Sequence, residues 1–277
     1  IDNELVGRTE WLDGKVDPEA WNKTHSVEDY ASKFKPPHQD LVIGEKSADI
    51  LLWKQSHPRL AEYLPHCKFI IQLRNPISRA YSHYWNDFGK GRESLSFEEA
   101  LSVEDDRSQG SDYARHHLSY KERGCYDESL KSFFQHLPRE NVLVLIMEET
   151  LEDPKKALKR IYKFIGVDPT QGMDLIGSKH NVNWTMVPRK WAAIPPFTQL
   201  EMIYRKLLRK IAARLWRNDP DRQVKKRKFF QRTESVFRKP AANLKIAPEV
   251  QDSLRELYKP HIQQLERMLD IQLKAWY

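Results

Sequence analysis

The run Leu73-Arg74-Asn75-Pro76-Ile77-Ser78-Arg79-Ala80-Tyr81-Ser82 has the composition of a phosphate clasp. An arginine leaves the end of an apolar stretch, Asn-Pro opens a helix, and a serine follows eight residues after the arginine. A helix N-terminus offers free N–H groups and the positive end of a dipole, both of which favour an anion. The Arg74 guanidinium adds a two-pronged, charge-assisted contact suited to phosphate. Ser82 stands three residues from Arg79 and four from Ser78, spacing that predicts one shared helix face. Upstream, Glu45 follows the apolar run Leu41-Val42-Ile43-Gly44. A carboxylate there can act as a general base if a substrate hydroxyl or amine comes within hydrogen-bond reach. Taken alone, Asn-Pro is also a good helix start, Arg74 a surface ion pair and Glu45 an exposed one.

The positions of these residues depend on the elements around them. Leu41–Gly44, Lys68–Arg74 and Asn141–Met147 read as buried strands, being short, aliphatic and bounded by polar or turn residues. Between and after them lie helical patterns: Pro76–Phe88 capped by Asn75, Phe97–Val103 capped by Ser96, Tyr126–His136, and Asp153-Pro154 to Phe164 closed by Gly166. Pro248–Leu269 is a last helix with Leu254, Leu257, Tyr258, Ile262, Leu265 and Leu269 to one side. Strands alternating with helices predict an α/β fold, a three-layer arrangement with a mostly parallel central sheet flanked by helices. In such sheets ligands bind beyond the carboxyl ends of strands, where Glu45 and Arg74 are expected. Residues 168–196 read as loop, 197–217 as a basic amphipathic helix and 218–245 as irregular, all within one domain spanning 1–277.

Arg74-Asn75-Pro76 through Ser82 resembles the 3′-phosphate-binding segment of sulfotransferases that use 3′-phosphoadenosine 5′-phosphosulfate (PAPS), above all the heparan-sulfate type and its bacterial relatives. Gly44-Glu45-Lys46-Ser47-Ala48 is similar to the segment that supplies the catalytic base in the heparan N- and 3-O-sulfotransferases. Gly124-Cys125-Tyr126, Glu148-Glu149 with Asp153-Pro154, Phe164-Ile165-Gly166-Val167, Leu257-Tyr258-Lys259-Pro260 and Trp276 follow that family's order. The resemblance implies a P-loop NTPase-like fold, PAPS as co-substrate with PAP as product, and no metal. It makes Arg74 and Ser82 ligands of the 3′-phosphate and Glu45 the base. It places Lys239, in Phe237-Arg238-Lys239-Pro240, where the family has a Lys-Gly-Arg loop against the cofactor; here the Gly and the second basic residue are missing. The family's phosphosulfate loop, a Gly-Thr-Thr-like turn after a strand, is expected several tens of residues before Glu45, and residues 1–40 contain none. With Ile1 as first residue, the expectation is an N-terminally truncated domain that binds PAP weakly and transfers sulfate poorly, whereas a chain with the upstream residues does both.

Charge narrows the partners. The net charge is +7, but residues 205–239 alone carry +11, so the excess sits in one segment and points to a polyanion. An acidic glycan accepting at a hydroxyl or amine fits, with Trp184 and Trp191 available to stack on sugar rings; a solvated helix face is the plainer account of the charge, and core packing of the tryptophans. His180 reads as a loop residue. Cys67 and Cys125 are too few and too far apart for a disulfide framework or a metal site. As free thiols they fit a cytoplasmic location, with a Golgi lumen as the alternative. No apolar run reaches the ~18 residues needed to span a bilayer. A P-loop kinase lacks here its Walker-type lysine and acidic Mg²⁺ ligand, and a nucleic-acid-binding module would need more interleaved aromatics than Phe229 and Phe230.

Overall fold

The computed structural model describes residues 42–47, 49–90, 92–110, 112–170, 186–188, 238–240 and 246–277, with isolated positions between 200 and 233. Its centre is a parallel pair of strands, β1 (Phe69–Leu73) and β2 (Val142–Ile146), in register from Phe69↔Val142 to Leu73↔Ile146. Parallel pairing requires a long crossover. Here it runs through α2 (Pro76–Lys90), α3 (Phe97–Ser102), α4 (Glu104–Gly110), α5 (Asp112–His117) and α6 (Tyr126–His136), after α1 (His57–Tyr63) has led into β1. Helices α7 (Met147–Glu152) and α8 (Pro154–Ile165) follow β2, and α9 (Pro248–Leu269) closes the domain.

One face of the strand pair meets α1 and α6: Leu60, Phe133, Leu137 and Val142 form a buried cluster with Phe69, Ile71 and Val144 packed on it. Alternation turns Leu145 to the opposite face. It too is buried, and α8 packs against β2. The larger core joins Leu73, Ile77, Tyr84, Tyr120, Tyr126 and Leu130 to Tyr258, Ile262, Leu265 and Trp276, so α9 lies across α6 and α2 as their cover.

Local chemistry explains the helix ends. Ser96 Oγ accepts from the Glu99 N–H while the Glu99 carboxylate accepts from the Ser96 N–H at 2.8 Å, a reciprocal capping box. Asp153 Oδ1 accepts from the Lys156 N–H at 2.9 Å to start α8, and Gly166 ends it at φ +79°, a conformation costly for residues with a Cβ.

Three expectations are corrected. Residues 42–47 form no strand: Val42 and Ile43 are 60% and 45% exposed, and β1 pairs only with β2, so among the described residues Val42–Gly44 joins no ladder; Leu41 lies outside them. β1 is not buried on both faces, since Ile70 and Gln72 are exposed. The stretches read as loop and irregular contain a short antiparallel pair, β3 (Met186–Pro188) with β4 (Arg238–Pro240). These strands are three residues long and end in proline, too short to show alternation. His180, Trp184, Trp191 and most of 197–245 lie outside the described residues.

Candidate functional site

Because β1 and β2 are parallel and in register, their carboxyl ends coincide, and the residues just beyond them share one edge. Arg74 follows β1 there, and its carbonyl accepts from Tyr126 Oη at 2.9 Å. Burial pushes the Tyr126 phenol up to about 12, which keeps it a neutral donor. Asn75 Oδ1 accepts from the N–H groups of Ile77 at 3.0 Å and Ser78 at 3.1 Å, capping α2 as its position after the strand predicts. Pro76 at the first helical position has no N–H to satisfy.

Glu148, two residues beyond β2, binds this corner together. Its Oε1 accepts from the Asn75 N–H at 2.9 Å, and its Oε2 accepts from Trp276 Nε1 at 3.3 Å. Asn75 Nδ2 also reaches the Ala275 carbonyl at 3.4 Å. One carboxylate thus links the β1–α2 turn to the 3₁₀ turn Lys274–Trp276 that follows α9.

The result is a cavity of about 570 Å³ between α2, the start of α9 and the last residues of the chain. Arg74, Ser78, Tyr81 and Ser82 line one wall. Gln251 and Arg255 line another, and Trp276 and Tyr277 close it. Arg255 is already paired with Asp252 at 2.7 Å. The Arg74 guanidinium and the Ser82 hydroxyl make no hydrogen bond or ion pair among the described residues, leaving their bonding capacity open to a ligand. Arg74 is half-buried, where a charge without a partner is expensive unless an anion or water meets it. The donor set fits a phosphate group.

Two sequence expectations about this clasp change. The first-turn N–H groups of α2 are not free: Asn75 Oδ1 takes those of Ile77 and Ser78, and the Asn75 carbonyl takes that of Arg79. What the helix offers an anion is its dipole and its side chains. Arg79 does not join the face of Ser78 and Ser82. Its Nη2 donates to the Tyr120 carbonyl, and its Nη1 lies 3.4 Å from His83 Nδ1. The i, i+4 pair Ser78 and Ser82 faces the cavity, while Arg79, one residue past Ser78, turns toward the core.

Behind α2 a buried charge network fixes its other face. Asp87 holds His83 Nε2 at 2.8 Å and Arg92 Nη1 at 3.0 Å. Burial raises the Asp87 carboxyl, but the hydrogen bonds from His83 and Arg92 outweigh it, and its pKa ends below the usual value. Burial lowers the His83 imidazole, so it serves Asp87 as a neutral Nε2–H donor and Arg79 as an Nδ1 acceptor.

Glu45 is exposed, makes no polar contact among the described residues and does not line the cavity. The segment that carries it is anchored four residues on, where buried Asp49 pairs with Arg123 at 2.6 Å and with His116 at 3.4 Å. Lys239 stands in β4 opposite Val187, and β3 packs against α2, the helix that carries Ser82. The structure therefore brings Arg74 and Ser82 together, sets the Lys239 ladder beside the same helix and leaves Glu45 apart. The sequence marks Glu148 only as part of a family-like segment and gives it no role; the signal for that role is its place just beyond the strand that pairs with the Arg74 strand.

Residues 44–171 match the model of the Sulfotransferase family. The bifunctional heparan sulfate N-deacetylase/N-sulfotransferase 1 of Caenorhabditis briggsae is 26% identical over 152 residues, which are 52% of this chain. The heparan sulfate glucosamine 3-O-sulfotransferase 3B1 of Mus musculus is 25% identical over 126 residues, 46% of this chain. These stretches span only 17% and 31% of the two relatives' own lengths. Among solved structures, a sulfotransferase from Alicyclobacillus acidocaldarius superposes with a TM-score of 0.60 at 21% identity, covering 93% of this chain and 77% of that one. That likeness carries the fold: α/β, helix-rich, with a parallel sheet.

Proposed function

We propose that this chain, whose residues 44–171 match the model of the Sulfotransferase family, serves the transfer of a sulfuryl group from PAPS to a hydroxyl or amine of a glycan acceptor. The observation that carries the reading is the half-buried Arg74 guanidinium, without a protein partner among the described residues, on one cavity wall with Ser82. On this reading Arg74 and Ser82 hold the 3′-phosphate, Arg74 through paired N–H donors and Ser82 through its hydroxyl. Lys239 adds positive charge from the β3–β4 ladder. Asn75 and Glu148 position the turn that aims Arg74 and touch no ligand themselves. PAPS, when bound, supplies the sulfuryl group. Glu45 takes the acceptor's proton as the acceptor oxygen or nitrogen attacks the sulfur in line, the S–O bond to the 5′-phosphate breaks and PAP leaves with its electron pair, a reaction in which catalysis is mostly positioning and charge stabilisation. The named activities of the heparan sulfate relatives support a glycan as acceptor, and the basic segment 205–239 suits an acidic one. A cytoplasmic setting, suggested by two free cysteines, belongs to the same proposal.

Thermal unfolding with added nucleotide tests the reading. PAP at about one hundred times its Kd should stabilise the chain by about 2.7 kcal/mol, while ATP with Mg²⁺ should leave the midpoint unchanged. Equal or greater stabilisation by ATP with Mg²⁺ would point to a kinase-type site and overturn the assignment.

A further inference from the structure

A phosphate monoester such as the 3′-phosphate of PAP carries about −1.5 to −2 charge near neutral pH. The Arg74 guanidinium balances part of it, and the Ser82 hydroxyl brings no charge. A half-buried clasp made of these two alone leaves up to about one negative charge unmatched. Among the described residues that line the cavity there are two charged side chains, and both are arginines: Arg74 beside α2 and Arg255 on the wall that α9 supplies. No aspartate or glutamate is among them.

Packing fixes where Arg255 stands. Val250, Leu254, Tyr258, Ile262 and Leu265 form the buried stripe of α9. Gln251 and Arg255 each follow a member of that stripe by one residue and stand four apart. At about 100° per residue both fall on its margin, where the helix leaves the core and meets the cavity. Tyr258 Oη donates to the Lys121 carbonyl at 3.0 Å, and Glu148 ties Trp276 Nε1 to the Asn75 N–H, so this wall is held against the Arg74 turn.

Arg255 also has donors to spare. Its Nη1 donates to Asp252 Oδ1 at 2.7 Å, and it makes no other hydrogen bond or ion pair among the described residues, so most of its five N–H donors stay open. The Asp252 pair is solvent-exposed on both sides, the kind of pair that contributes little, and a ligand can share or replace it at small cost.

We propose that Arg255 is a second phosphate ligand, whose guanidinium meets the 3′-phosphate from the α9 wall and balances the charge that Arg74 leaves. This inference rests on the reading of the cavity as a 3′-phosphate site and adds to it a residue that selects a dianionic phosphate over a hydroxyl.

Isothermal titration of PAP and of adenosine 5′-phosphate into the whole chain tests it. Arg255→Ala should weaken PAP about tenfold and leave both adenosine 5′-phosphate binding and the thermal midpoint unchanged. Arg255→Lys, which keeps the charge and loses the planar fork, should recover part of that loss. PAP affinity that Arg255→Ala leaves intact, while Arg74→Ala still removes the preference for PAP, would overturn this inference and leave the 3′-phosphate site standing. Equal weakening of both nucleotides would also overturn it, because Arg255 would then act on a group they share. Equal binding of the two nucleotides by the unaltered chain would overturn the phosphate-site reading itself, and this inference with it.

Discussion

Gly124→Ala should damage the fold through one identifiable clash. Gly124 ends the 3₁₀ turn Glu122–Gly124 before α6, and a Cβ built on it would lie 2.6 Å from Tyr258 Cε1 and 2.7 Å from both Cζ and Oη. Tyr258 has little room to retreat: it is fully buried, and its hydroxyl donates to the Lys121 carbonyl at 3.0 Å. Overpacking of this kind costs about 1–3 kcal/mol, and losing the buried hydroxyl's bond adds about 1 kcal/mol. A total near 3 kcal/mol should lower the thermal midpoint by roughly 6–12 °C in a domain of this size. Differential scanning calorimetry measures the shift, and a double-mutant cycle identifies its cause. In a Tyr258→Leu background the clash is gone, so Gly124→Ala should cost less than about 0.5 kcal/mol. An unchanged midpoint for Gly124→Ala, or an equal penalty in both backgrounds, would refute the reasoning.

Three further outcomes are expected. Glu148→Gln cannot accept from both the Asn75 N–H and Trp276 Nε1, so urea unfolding should show a loss of about 1–3 kcal/mol. Burial holds the His117 imidazole down at about 3, with the Arg92 guanidinium 3.3 Å from its Nδ1, and lowers His83 and His57 as well. The unfolded chain takes up these protons near pH 6.5 while the folded chain refuses them, so stability is full above that pH and falls below it; urea titrations at pH 7 and pH 5.5 should differ by up to about 1 kcal/mol per histidine. Burial, followed by the nearby Glu128 and Asp127 carboxylates, pushes the Cys125 thiol up to about 12, whereas Cys67 is exposed; iodoacetamide at pH 8 should alkylate Cys67 first and reach Cys125 only on unfolding.

Much of the fold is legible in the sequence because its helices carry their own start and stop chemistry. Tyr126–His136 and Pro248–Leu269 have the bounds that apolar spacing and proline predict, and the Ser96, Asp153 and Gly166 caps sit where their residue types place them. Which apolar runs find a distant partner was not legible: Lys68–Arg74 and Asn141–Met147 pair as β1 and β2, and Val42–Gly44 joins no ladder among the described residues. Leu41–Gly44 has a strand's composition, but a strand exists only with a neighbour to bond, and composition does not supply one. The clasp was half visible: Arg74 and Ser82 meet in one cavity, whereas Arg79 has a core carbonyl as partner that no i, i+3 rule reveals. The family-like segments at 124–126 and 257–260 read separately along the chain. In space they explain each other, because Gly124 is small where the Tyr258 ring passes.

Isothermal titration of PAP against adenosine 5′-phosphate, which lacks only the 3′-phosphate, tests the phosphate clasp most directly, in the unaltered chain and in Arg74→Ala. Loss of a charge-assisted contact worth about 1.5–3 kcal/mol should weaken PAP about 10- to 150-fold and leave adenosine 5′-phosphate unchanged, so the preference for the 3′-phosphate collapses. A PAP preference that survives Arg74→Ala, or adenosine 5′-phosphate weakened in step with PAP, would contradict the account.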